Sequence, residues 1–441
     1  MAIRYFPNVY PRRRMHSLIL AWASYLLAAL LPARQAEVPF YNEEIEVTYR
    51  PELFANGPFE VSELGVDYYY AEVTKKDWLP VHAQLQAARA RLGLNDWLYA
   101  KLVDEAVDAI APFAAANERR VMALHLLTLA GYDVRLCYGA TEVFVYARTD
   151  DAVFEVPMVS LDAGRYVNLT AALASTEYHP RRLNMHPLRP LPSGAGMRFA
   201  LETLPRLRPD VRERTFRFRY AGRSIAIDAL TDRTIAAYMH EYPFFDEGRY
   251  LEVALSPETR ARLLAQLRPH LDTLGERAAL EFLAAFTRGA FDYKEDKASF
   301  GYSKPMIPDE VLYYPVSDCE DRSALYFTLV RELLDVPIIA IAYDDHLSVA
   351  VASETLRGGA PLRHRGRDYY VCDPTGPKRS QEIGNPPAGY LGRAYEVVAE
   401  HDPAAGPAAL AANGTPNGDR GSGSRRAIAQ ATPPGVIRAN F

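Results

Sequence analysis

The spacing of apolar and polar positions changes several times along the chain, and each change marks an element. Val47-Thr48-Tyr49 and Val66 to Tyr70 favour extended backbone, so short strands are expected between Val38 and Tyr70. From Val81 to Ala130 the period is helical: Leu98, Leu102 and Val103 share a face, as do Leu124, Leu127 and Ala130. Gly131 follows as a residue suited to the left-handed turn that closes a helix. Val134 to Tyr146 and Val153 to Leu169 then read as strands. Pro180 to Pro192, rich in Pro and Arg, reads as a linker. From about residue 197 to 253 the pattern alternates, as in Phe216-Arg217-Phe218-Arg219-Tyr220, which predicts a small β-rich unit. A helix opens at Ser256 and Pro257, with Leu263, Leu264, Leu267 and Leu271 on one side. Another runs from about Glu276 to Ala290, with Leu280, Leu283 and Phe286 inward.

These periods divide the 441 residues into an N-terminal α+β domain (37–180), a β-rich intermediate domain (197–253) and a C-terminal domain (255–400). Ahead of them, residues 1–36 read as a leader. Arg12-Arg13-Arg14 precedes the apolar run Leu18 to Leu31, whose roughly 14 residues suit a signal peptide better than a membrane span. Pro32 to Ala36 lacks a clean small-residue cleavage site, so an uncleaved membrane anchor is the alternative. An exported protein, periplasmic or extracellular, is therefore expected. Residues 404–441, dominated by Ala, Gly, Pro, Ser and Arg, read as a disordered tail.

An echo links the two larger domains. Asp133-Val134 matches Asp335-Val336, and Gly164-Arg165 matches Gly366-Arg367 at the same offset. Both stretches read as a helix followed by three strands, which suggests a diverged duplication.

Composition excludes more than it names. A formal charge of −5 with Arg and Lys dispersed among acids leaves no footprint for nucleic acid. No phosphate-cradling glycine loop and no serine-hydrolase elbow is present. Three cysteines, Cys137, Cys319 and Cys372, cannot all pair with one another, so at least one thiol is unpaired or bridges to another molecule.

Cys319 carries the chemistry. Ser317 and Glu320 have capping-box spacing, which puts Cys319 in the first turn of a helix continuing through Leu325, Leu329 and Leu333. Helix starts favour thiolate. Its backbone N–H is a candidate oxyanion donor, and Tyr313 or Tyr314 a candidate second one. Pro337 to Tyr343 is a buried strand, His346 to Ala352 a half-exposed one, and Asp368 to Asp373 the next. If the last two pair around the polar loop between them, Ser348 faces Val371 and His346 faces Asp373, with Cys372 on the opposite side. Thiol, imidazole and carboxylate then have the order of a nucleophile, its base and the acid that orients the base. A zinc site from Cys319, His346, Cys372 and Asp373 is the rival chemistry, but it lacks the short ligand spacings. A Cys137–Cys372 disulfide is a further alternative after export. Asp318, Glu320 and Asp321 read as a solvated acidic first turn, with a cleft-lining role for Asp321 and Arg322 as the alternative.

Phe291-Asp292-Tyr293, Phe300-Gly301, Ser317 to Ser323, His346 and Cys372-Asp373-Pro374-Thr375 together resemble the transglutaminase-like superfamily of cysteine hydrolases, over about residues 275–390. The resemblance implies an α+β fold with a papain-like core, a helix packed on an antiparallel sheet. It also implies a catalytic triad of Cys319, His346 and Asp373 that needs no cofactor or metal. The expected activity is a peptidase or amidase working through an acyl-thioester on a peptide or protein amide. A transamidating, cross-linking enzyme and a non-catalytic binding or scaffold protein are the alternatives. At the offset of the internal echo, Asn117, Phe144 and Ala171 stand where the triad residues would be, so the first copy would be degenerate.

Overall fold

Two sheets built from hairpins, each with a helix laid against it, organise the chain. The computed structural model describes residues 32–404, except 55–58, 162–163, 175–183, 187–193, 357–358, 376–382, 387–388 and 391. Nearly all of the leader, most of the Pro/Arg-rich linker and nearly all of the tail lie outside the described residues. Among the described residues no helix is long and apolar enough to cross a membrane.

The first strand pair, β1 (Arg34–Phe40) and β2 (Glu43–Tyr49), is antiparallel and begins inside the stretch assigned to the leader. Four helices follow: α1 (Glu63–Thr74), α2 (Leu79–Leu92), α3 (Asp96–Ile110) and α4 (Ala116–Leu129). Helix α1 corrects the extended reading of Val66 to Tyr70. Ser62 caps it by accepting from the Gly65 N–H, and Val66, Tyr69 and Val73 bury one helical face. That face outweighs the strand preference of the individual side chains, which is a weak prior. Gly131 closes α4 as expected, at φ 87°, and the Tyr132 N–H reaches back to the Leu127 carbonyl.

The first sheet comprises β3 (Val134–Tyr138), β4 (Val143–Thr149), β5 (Met158–Leu161), β6 (Gly164–Asn168) and β7 (Asn184–Met185), in the order β5-β6-β4-β3-β7. A short helix, α5 (Leu169–Leu173), follows β6 directly. Next come the long hairpin β8 (Val211–Tyr220) and β9 (Arg223–Asp232), then α6 (Arg233–His240) and α7 (Glu247–Glu252). This stretch, read as a β-rich intermediate domain, contributes to two cores. Phe216, Phe218, Ile227 and Ala229 pack with the C-terminal half, while Ile235, Tyr238, Phe245 and Tyr250 pack with the N-terminal half.

In the C-terminal half, α8 (Pro257–Leu271) and α9 (Glu276–Gly289) form where their apolar stripes predicted. After β10 (Asp292–Tyr293), α10 (Asp296–Ser299), α11 (Pro308–Tyr313) and β11 (Val316–Ser317), the chain enters α12 (Cys319–Leu333). The second sheet holds β12 (Ile338–Ala342), β13 (Leu347–Val351), β14 (Leu362–His364), β15 (Arg367–Val371) and β16 (Glu396–His401), in the order β14-β15-β13-β12-β16. One face of this sheet packs on α12 and α9; the other holds Ile339, Ile341, Tyr369 and Val371. The fold is thus mixed α+β, with antiparallel five-stranded sheets.

Candidate active site

Cys319 is the first residue of α12, as its spacing predicted, but the cap differs. Asp318, not Ser317, is the N-cap residue, and the Asp321 carboxylate accepts from the Asp318 N–H at 3.1 Å. Asp321 also accepts from the Met306 N–H at 2.9 Å, which ties the loop before α11 to the start of α12. Ser317 instead accepts from Arg322 Nε at 3.1 Å, and Arg322 donates onward to the Phe291 carbonyl. Ser323, one turn into α12, donates to the Leu347 carbonyl at 3.1 Å. That bond fixes the helix start against the beginning of β13, and the Leu347 N–H stabilises the Cys319 sulfur.

His346 immediately precedes β13. The observed pairing sets Ala350 against Val371, two residues away from the predicted register. A shift of two preserves which side each residue faces, whereas a shift of one would have reversed it. His346 and Asp373 therefore still meet, as diagonal neighbours, with His346 Nε2 and Asp373 Oδ2 2.9 Å apart. The hairpin register was misjudged because β14 forms a separate pair with β15 inside the loop taken to be unstructured.

Burial pushes the Asp373 carboxyl up. The hydrogen bond and charge of His346 and two donations from Thr375 outweigh it, and the group lies below the usual carboxylate range. Arg288 from α9 holds the Asp373 backbone carbonyl. The Tyr390 ring centroid lies 5.0 Å from that of the imidazole, and Arg393 lies over the Tyr390 ring while pairing with Asp345. With Nε2 engaged by Asp373, Nδ1 is the nitrogen left to exchange a proton with a thiol.

The thiol itself is held elsewhere. Cys319 Sγ donates to Glu320 Oε2 at 2.9 Å, and no hydrogen bond joins it to His346. Burial, then the charges of Glu320 and Asp318, push its pKa well above the ordinary thiol value. The thiol is therefore neutral in this arrangement, contrary to the expectation that a helix start would favour thiolate: the helix end is outweighed by burial beside carboxylates.

Those carboxylates are not a solvated face. Asp296, Asp318 and Asp321 are buried, and one oxygen from each lies within 4.8 Å of the others. Burial, then Glu320 and Asp296, raise Asp318 to about 10; burial, then Asp321, raises Glu320 to about 7. Shared protons relieve the repulsion, and a hard divalent cation with oxygen ligands would relieve it equally. The acidic composition of this turn was legible in sequence; its burial under the 296–306 segment was not. Tyr293 was also missed as a site residue. Its ring is about half exposed and carries the Arg322 guanidinium 5.2 Å from its centroid, and burial and then the charge at Cys319 raise its phenol. The Tyr314 ring packs on Phe300.

The rival readings fare differently. Cys372 points into the core, with its sulfur 2.9 Å from the Tyr326 hydroxyl, so the four residues of the zinc alternative do not converge. All three cysteines are free thiols, so the Cys137–Cys372 disulfide does not form. No family model, curated protein or solved structure matches the chain.

Proposed function

We propose that this protein is an exported cysteine peptidase or amidase of the transglutaminase-like type, with a papain-like core in residues 255–400. The observation that carries the reading is the buried His346–Asp373 pair, with His346 directly before the strand onto whose first residue the helix opened by Cys319 is docked. In the reaction, Cys319 leaves Glu320 and passes its proton to His346 Nδ1. The thiolate attacks an amide carbonyl, with the Cys319 N–H and the Tyr293 hydroxyl donating to the developing oxyanion. His346 returns the proton to the leaving nitrogen as the C–N bond breaks. Water, deprotonated by His346, then cleaves the thioester, releasing the acid and restoring the thiol. An amine in place of water would make the enzyme a transamidase.

One observation favours a second reading, a binding protein that retains the triad without using it: the thiol is neutral and bonded to Glu320. A screen of periplasmic peptides and isopeptides for amide cleavage separates the two. Cleavage is expected from the intact protein and abolished in both Cys319→Ala and His346→Ala. Cleavage that survives Cys319→Ala refutes the proposal, and so does a folded protein that acylates on no substrate and is not labelled by small thiol reagents at Cys319.

A further inference from the structure

The two sheets share strand order and register. In each, the fourth residue of the second strand pairs with the last residue of the strand beside it: Tyr146 with Asn168, and Ala350 with Val371. In each, the outer hairpin closes with the same two-residue spacing, Leu161 pairing with Gly164 and His364 with Arg367. The helices preceding the sheets align from their first residues. Ala116 then answers to Cys319, Arg119 to Arg322 and Ala123 to Tyr326. Arg119 and Arg322 each reach the residue five positions earlier, the first donating to the Ala114 carbonyl and the second to the Ser317 hydroxyl. Glu142 precedes β4 as His346 precedes β13, and Thr170 follows β6 as Asp373 follows β15. These counterparts replace the Asn117, Phe144 and Ala171 of the sequence offset, because loop lengths differ between the halves.

One exchange alters the interior. Tyr326 is fully buried, and its ring fills the space between α12 and α9, its hydroxyl reaching the Leu280 carbonyl and Cys372. At the same place the N-terminal half has the methyl group of Ala123, and a cavity of about 170 Å³ opens between α3, α4, β4 and α5. That is far more than the roughly 10–15 Å³ that admits one water and less than the roughly 300 Å³ of a drug-sized site. Val145, Leu169 and Leu173 form its apolar wall.

The charges around it are unequally satisfied. Asp108 is bound by Arg119 at 2.7 Å, and Arg120 is engaged by Asn117, Glu142 and the Val143 carbonyl. Among the described residues Asp104, which lines the cavity, has no hydrogen bond or ion pair, and only the more distant charges of Lys101 and Arg120 favour its ionised form. Burial, then Asp108 and Glu105, raise it to about 6, so it is still mostly ionised at neutral pH.

We infer that this cavity is a binding pocket for a single alkylammonium group, the side chain of a lysine, with its methylenes against Val145, Leu169 and Leu173 and its ammonium on Asp104. An ammonium supplies the donors that the Asp104 carboxylate lacks, and a four-carbon stem suits a pocket of side-chain size. The inference rests on the N-terminal half alone and is independent of the chemistry proposed at Cys319.

The test uses the full chain and n-butylammonium as probe, with 1-butanol as the neutral control, followed by calorimetry and by ligand-induced shifts in melting at pH 7.5. Butylammonium is expected to bind at least about tenfold more tightly than butanol. Asp104→Asn is expected to remove that preference. Ala123→Tyr, which copies the C-terminal half, is expected to abolish binding of both, and Ala123→Met serves if the larger ring prevents folding. Equal binding of amine and alcohol, or amine binding that persists in a folded protein with the cavity filled, overturns the inference.

Discussion

Removing the charge beside the Cys319 thiol should make that thiol more reactive, by an amount the geometry sets. Glu320→Gln keeps a hydrogen-bond acceptor at the 2.9 Å contact and deletes the carboxylate. A unit charge about 4 Å away is worth about 4 kcal/mol at an effective dielectric of 20, or about three pKa units. Part of this is returned, because Asp318 is itself held protonated partly by Glu320 and ionises more readily without it. A net fall of about two units raises the thiolate fraction about 100-fold while the pKa stays above the assay pH. Intrinsic nucleophilicity falls as pKa falls, with a slope near 0.4–0.5, which takes back about eightfold. Alkylation of Cys319 by iodoacetamide at pH 8 should therefore accelerate about tenfold. Peptide mapping assigns the label, and Cys319→Ser supplies the blank. Cys137 and Cys372 should stay unlabelled in the native protein, since both are buried and raised to about 12. A rate within twofold of the parent would refute the electrostatic account of this site and leave burial alone as the cause.

Two further outcomes follow from buried charge. Asp318 is protonated in the folded chain to about pH 10 but ionises near pH 4 when unfolded, so the native state binds the extra proton and stability falls as pH rises across that window. Asp318→Asn keeps a good N-cap and needs no proton; its gain in melting temperature should be larger at pH 8 than at pH 5, and an equal gain at both would exclude the linkage. Lys304 and Glu310 form an ion pair in which both side chains are buried. Lys304→Ala leaves Glu310 uncompensated and should cost about 3–5 kcal/mol in urea unfolding, most of it recovered when Lys304→Met is combined with Glu310→Leu.

Much of the site could be read in the chain itself. The stripe of Leu325 and Leu329 located α12, and the Ser317–Glu320 spacing located its start to within one residue, although Asp318 and Asp321 make the cap, because capping uses only neighbours within one turn. The alternation in the last strands put His346 and Asp373 on one side even though the register was wrong by two, since a strand's period is two and the error was even. Where local preference and packing disagreed, packing won: Val66 to Tyr70 formed a helix because Val66, Tyr69 and Val73, at helical spacing, had a core to enter.

By itself, then, the sequence determined the elements with strong periodicity, the repeated order of helix and strands, and the placing of His346 and Asp373 on one side of a sheet. Tertiary structure alone decided the state of the thiol. The charges around Cys319 depend on the 296–306 segment that covers Asp318 and Asp321, contacts that no spacing along the chain encodes. It also decided the fate of the first half, where one side chain, Ala123 in the place of Tyr326, turns a packed interior into a cavity. Local rules act over a turn or a hairpin. Desolvation and voids are set by what packs on top, and that is fixed only when distant segments meet.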